Sequence, residues 1–307
     1  MDYIIIGGGP TGLSLAYYLV KLNYKVTLIE KDNLLGGSWN SYWIDNKYFS
    51  ENSPRVLGGF SYSSNMKFFK DIGMKDEDFY PIYGNFIESN LKISKFISES
   101  FTIKDYFIFG AAFLKYGFSK NKMVMSEWMD SVSLSKFAKN SIRIISITIC
   151  DLPENTNVTN FFGSLSMTNL KQMKEPDKWV NLLEEYFSSK NNISIFKNMK
   201  VTELVSEKDK ITEVHCYDNY HHKKKILKAN KIVICTQSNN IYPILKNSNQ
   251  LIRNNWFPES KMKKWSEETF YSGFGFQLHF DFDVKFPKTW CWSCMSEWTI
   301  IILPVSD

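Results

Sequence analysis

Tyr3-Ile4-Ile5-Ile6 passes without a spacer into Gly7-Gly8-Gly9-Pro10-Thr11-Gly12, an apolar run ending in a G-x-G-x-x-G turn. Four consecutive apolar residues suit a strand buried on both faces of a parallel sheet. A helical pattern follows, with Leu13, Ala16, Tyr17 and Val20 on one face. Asn23, which tolerates the left-handed conformation, marks its end. A second strand, Lys25–Glu30, closes on a carboxylate. Each part has a physical task. Gly7 permits the tight turn, Gly9 lets the backbone approach a pyrophosphate, and Gly12 lets helix and strand pack closely. The helix N-terminus offers unpaired N–H groups and a positive dipole end to phosphates. Glu30 stands about twenty residues beyond the loop, where an acid accepts the ribose hydroxyls of an adenosine. The expectation is an α/β, Rossmann-type dinucleotide-binding domain.

Six residues after Glu30 comes Gly36-Gly37-Ser38-Trp39. Together with Gly7, Gly9, Gly12, Ala16 and Glu30, this second glycine pair resembles the FAD-dependent amine oxidase and phytoene desaturase superfamily. The resemblance implies FAD, with Glu30 on the adenosine ribose and Gly36-Gly37 near the cofactor phosphates. The implied cofactor-binding set is Gly7, Gly9, Thr11, Gly12, Glu30, Gly36, Gly37, Ser38 and Trp39. Ser50–Leu57 is similar to the family segment that runs beneath the flavin, with Pro54-Arg55 where a histidine is common. Ser126-Glu127-Trp128-Met129 resembles the start of a substrate-domain helix, for which Ser126 is a good N-cap. Lys178–Phe187, Ile193–Phe196, Lys200–Val205 and Lys231–Thr236 resemble the elements that return the chain to the FAD domain. Gly-Gly-Ser-Trp is also similar to a flavin monooxygenase motif, but those enzymes carry a second glycine fingerprint for NADPH. Beyond Gly84 only Gly110, Gly117, Gly163, Gly273 and Gly275 remain, so no second G-x-G-x-x-G exists.

The organisation expected is discontinuous: residues 1–75 and 191–245 as the FAD domain, 76–190 and 246–307 as an interleaved α+β substrate domain. Helices are expected near Ile103–Tyr116, Ser126–Val132 and Leu134–Ile145, and a β-rich stretch from Ile193 to Thr236. His215–Lys225 reads as a polar, lysine-rich tip between strands. From Gly273 to Asp283 the alternation is strict, with Phe274, Phe276, Leu278, Phe280 and Phe282 on one face. Such a period-two pattern predicts a strand. Its polar face carries Gln277 and His279 and either lines a cavity over the flavin or meets water. In amine-oxidising relatives a lysine on a comparable strand holds a water near the flavin; the matching position here is Gln277. The catalytic candidates are Arg55, Gln277 and His279. Trp39 and Trp43 could face a flavin or pack in a core.

Cys291-Trp292-Ser293-Cys294 sits in a strand-like run, which suits a structural more than a redox pair. His215, Cys216, His221 and His222 match no zinc spacing, and no metal is expected. Only three of the 37 basic residues are arginine, which argues against nucleic-acid recognition. No stretch reaches the roughly 18 apolar residues of a membrane span, and the strand starting at Tyr3 leaves no room for a signal peptide. The five cysteines form an odd, scattered set that fits a reducing compartment. The chain is accordingly expected to be soluble and cytoplasmic, with a small-molecule substrate. The family resemblance also implies a C-terminal Gly-Asp element holding the flavin, which residues up to Asp307 do not supply. The leading expectation is hydride abstraction from an amine or C–C bond to FAD. The alternatives are a redox-neutral flavin mutase or isomerase of the sugar-nucleotide type, and a catalytically inactive FAD-binding module.

Overall fold

The computed structural model describes residues 2–45, 48–51, 56–57, 63–81, 83–87, 93–95, 101–149, 151–164, 171–208, 210–228, 230–255, 259–268, 278–282, 290–295 and 299–302. The chain divides into two compact units. One comprises Met1–Ser53, Asp71–Met74 and Glu175–His279; the other comprises Pro54–Lys70, Lys75–Lys174 and Phe280–Asp307.

The first unit is built on a four-stranded parallel sheet. β1 (Asp2–Ile6) lies between β2 (Lys25–Ile29) and the strand Lys231–Ile234, and the strand Ile193–Phe196 pairs with the outer edge of β2. Ile4, Ile5 and Ile6 are at most 3% exposed, which is why β1 carries no polar alternation. α1 (Pro10–Lys21) begins with Pro10 in its first turn, where a missing N–H has no consequence, and buries Leu13, Ala16, Tyr17 and Val20. Asn23 adopts the expected left-handed φ of 61° just beyond it. Asn192 then fastens the α1–β2 turn, its side-chain amide donating to the carbonyls of Val20 (3.1 Å) and Tyr24 (2.9 Å).

The expected β-rich stretch is present and splits in two. Its first and last strands join the parallel sheet, while Met199–Glu207, Lys210–Asp218 and Lys223–Leu227 form a separate antiparallel sheet. Helix Ser238–Asn247 packs on Met199–Glu207, and Ile4, Ile6, Ile29, Leu204, Val214, Ile244 and Leu245 share one apolar core. His215 and Cys216 lie inside a strand rather than in a solvated tip; the turn is confined to residues 219–222. Cys216 packs into the core, and His215 bridges Glu203 (Nδ1, 2.5 Å) and Glu213 (Nε2, 2.9 Å).

The second unit gathers helices Ile103–Tyr116, Met125–Ser131, Lys136–Ile149 and Val158–Ser164 around Met125, Trp128, Phe161 and Phe162. Ile103–Tyr116 has the expected bounds because Thr102 caps it and Asp105 completes the capping box. Asp105 is 1% exposed and also accepts the N–H of Ser135 at 2.8 Å, so one carboxylate anchors two helices. A strand Trp290–Met295 runs parallel to Tyr83–Ile87, with Ile93–Lys95 and Thr299–Ile302 outside them. Cys291 and Cys294 thus both fall in a strand, as expected.

Two further expectations are corrected. Ser126 is not an N-cap: its helix starts at Met125, and Val124 occupies the cap without a side-chain bond. The Met125 N–H is instead taken by the carbonyl of Thr156 at 2.8 Å, so a neighbouring chain segment does the work of a cap. The strand expected over 273–283 is absent from residues 278–282, which are irregular, with Leu278 and Phe282 68% and 65% exposed. Alternation makes a strand only where a partner edge takes its backbone bonds, and none does so for these five residues among the described ones.

Candidate functional site

The chain reverses sheet direction at β1, since β2 lies on one side and Lys231–Ile234 on the other. In open α/β sheets the crevice beyond the carboxyl ends of the strands at such a point receives ligands. Gly7 lies there with a left-handed φ of 109°. A Cβ on Gly7 would meet the Cys235 carbonyl oxygen at 2.6 Å, and one on Gly12 would meet the Gly7 carbonyl oxygen at 1.9 Å. Both glycines are therefore required by packing, whatever the loop holds. Gly9 differs: a Cβ there would meet nothing nearer than Gly37 Cα at 3.9 Å. In the first turn of α1, Pro10 has no N–H, while the N–H groups of Thr11 and Gly12 lie before the first helical bond, Leu13 N–H to the Gly9 carbonyl (2.9 Å).

The second glycine pair is not a separate feature. The Gly36 N–H donates to the Gly8 carbonyl at 2.9 Å, with φ of 110° at Gly36 and 58° at Gly37. A Cβ on Gly37 would approach Gly9 Cα to 2.9 Å. The two loops thus face each other through bare backbone, closer than side chains would allow. The short helical turn Gly37–Trp39 leaves Ser38 exposed. The half-buried Trp39 stands edge-on to Trp179 at 5.8 Å.

Glu30 is 6% exposed, and both carboxylate oxygens are engaged by backbone: Oε2 accepts the Gly8 N–H at 2.6 Å, Oε1 the Asp32 N–H at 3.0 Å. A carboxylate has about four lone-pair sites, so acceptor capacity remains on each oxygen. The backbone of the same residue is clamped as well. The Glu30 N–H donates to the Phe196 carbonyl, and the Met199 N–H donates to the Glu30 carbonyl, both at 2.8 Å.

The structure brings Gly7, Gly9, Gly12, Glu30, Gly36 and Gly37 into one backbone-lined cluster, with Thr11 exposed on the first turn of α1. Arg55 and Gln277 lie outside the described residues, and His279 is exposed on an irregular segment rather than on a strand face. Trp43 is half exposed, and its indole N–H is held by the Asp177 carboxylate at 2.5 Å. Sequence reasoning missed Gly8, whose N–H and carbonyl tie Glu30 to the second glycine pair; three glycines in a row were its only signal. Burial pushes the nearby Cys235 thiol up, which favours its neutral form. Among the described residues, no three His, Cys, Asp or Glu side chains gather to hold a metal ion.

The glycine cradle, the free first-turn amides and the buried acid fit the adenosine and pyrophosphate of a dinucleotide. A family model described as FAD dependent oxidoreductase matches residues 2–254. Thiamine thiazole synthase from Methanothermobacter thermautotrophicus is 38% identical over 58 residues, 19% of this chain and 22% of that protein. Among solved structures, an oxidoreductase from Methanosarcina mazei superposes with a TM-score of 0.67 at 14% identity, covering 87% of this chain and 65% of that one. Putrescine oxidase bound to putrescine gives 0.60 at 15% identity, covering 79% and 59%. The chain thus spans less than two thirds of the length of these proteins. At such identities the likeness is one of fold.

Proposed function

Because the chain belongs to the family of FAD dependent oxidoreductases, we propose that it holds one FAD at the joined glycine loops and oxidises a small-molecule substrate. The bond oxidised is C–N or C–C, as the putrescine oxidase likeness and the family resemblance suggest. When bound, FAD supplies the hydride-accepting chemistry; the residues of the chain supply binding, orientation and exclusion of water. In this reading the N–H groups of Thr11 and Gly12 face the pyrophosphate, with the dipole of α1 behind them. Gly9 and Gly37 keep side chains out of the approach. Glu30 uses its remaining lone pairs for the ribose hydroxyls, while its two backbone bonds hold the loop still before any ligand arrives. Ser38 and Trp39 follow directly and border the cofactor.

The observation that carries this reading is the docking of one glycine loop on the other, Gly36 N–H to Gly8 carbonyl at 2.9 Å. A glycine-rich turn of purely structural use has no need of a second one against it. The test is the purified chain and its visible spectrum, followed by titration of the FAD-free protein with FAD. A flavin band is expected, bleached by the substrate amine or by a chemical reductant. Gly37→Val should lower FAD affinity at least tenfold. Colourless protein indifferent to added FAD would overturn the assignment.

A further inference from the structure

Helix Ile103–Tyr116 is apolar on both sides, and only one side is used. Asp105, Ala112 and Tyr116 are buried, and Ile108, Phe109 and Phe113 pack against the helical core of the second unit. The opposite stripe is Ile103 (78% exposed), Phe107 (76%), Leu114 (73%) and, just past the helix end, Phe118 (85%). Only Gly110 and Ala111, both exposed, lie between them. At 100° per residue the helical members fall within an arc of about 100°, the width of a face that normally meets a core. A helix apolar all round is normally buried, so an outward apolar face of this kind marks an interaction surface.

The charges beside the stripe identify what it meets. Lys104, Lys115, Lys120 and Lys122 are all exposed, and the only acid between residues 103 and 122 is the buried Asp105. None of the four lysines is ion-paired among the described residues. A second copy of this chain is a poor partner, because a two-fold contact would set lysine against lysine across the apolar seam. An aliphatic and phenylalanine stripe with lysines at its margin is the pattern of a helix lying in a membrane interface. We propose that this face docks on an anionic lipid surface, the apolar side chains entering the headgroup boundary and the four lysines meeting lipid phosphates. No helix among the described residues is long and apolar enough to cross a membrane, so the contact is a peripheral one. It is independent of the FAD reading, since none of these residues belongs to the glycine cluster.

The test is co-sedimentation of the full chain with vesicles of phosphatidylcholine alone and with about 30% phosphatidylserine, at about 0.1 M salt. Binding is expected only to the anionic vesicles, and it should fall as salt is raised. Lys104→Glu with Lys115→Glu should weaken it about 30-fold or more, at roughly fivefold for each lysine charge near the surface. Phe107→Glu with Leu114→Glu should abolish it while leaving the melting temperature within a few degrees, because both side chains already face outward. Equal binding to neutral and anionic vesicles, or none to either, would overturn the proposal. So would a concentration-dependent dimer that the Phe107→Glu, Leu114→Glu variant dissociates.

Discussion

Glu30→Gln separates a ligand role for this side chain from a structural one. Glutamine has the same shape but offers one acceptor oxygen, where glutamate receives both the Gly8 N–H (2.6 Å) and the Asp32 N–H (3.0 Å). The amide NH2 must then face one of these donors. At 6% exposure water does not replace the lost acceptor. Leaving one buried N–H unmet costs about 1–3 kcal/mol, and weakening the other bond from charged to neutral adds about 1 kcal/mol. The sum, about 2–4 kcal/mol, translates into a fall of roughly 5–15 °C in melting temperature for a unit of this size. The assay is calorimetry on FAD-free protein, with amide exchange at Gly8 as the local probe. If Glu30 only binds ribose, FAD-free wild type and variant will melt together. A difference below about 1 °C, well under what a single kcal/mol produces, would refute the bracing role.

Gly12→Ala would place a methyl 1.9 Å from the Gly7 carbonyl oxygen, forcing backbone to move; a loss of about 3 kcal/mol or more is expected in urea unfolding. Asp105→Asn should destabilise the second unit by about 2–4 kcal/mol, since one carboxylate serves Thr102 N–H, Thr102 Oγ1 and Ser135 N–H. Burial pushes the Asp105 carboxyl up, but those bonds outweigh it and bring it to about 2. Its contribution is therefore present above the unfolded value near 3.9 and lost as pH falls towards 2, so the variant should show a flatter acid limb. His215 is raised by its bond to Glu213, opposed by burial and supported by Glu203. Its contribution is complete below about pH 6.5 and lost as pH rises through the folded value. His215→Gln should remove that dependence from amide exchange measured between about pH 6 and pH 9.

The β1–α1–β2 unit was legible because its determinants are local: apolar run, glycines, helix face and acid lie within thirty residues, and each has one geometric use. Thr102 and Asp105 made the bounds of the next long helix readable for the same reason. What failed depended on partners distant in sequence. Ser126 has the chemistry of a cap, yet Thr156 meets the Met125 N–H, and nothing near Ser126 announces it. Leu278, Phe280 and Phe282 alternate as a strand would, but alternation describes side chains and not the edge they need. His215 reads as part of a lysine-rich tip until Glu203 and Glu213 are seen on either side of it. Within the candidate site, the glycines announced themselves individually; that Gly36 would bond to Gly8 was not written in either motif.

The strand pairing also sets an order of events at the ribosome. β1 needs Lys231–Ile234 on one side, and β2 needs Ile193–Phe196 on the other. The Glu30 carbonyl waits for Met199. At about 5–20 residues per second, some 10–40 s separate synthesis of the fingerprint from that of its last neighbour. During that interval β1 and β2 present apolar, unpaired edges, and a nascent chain halted before residue 231 has a nucleotide signature without a nucleotide site.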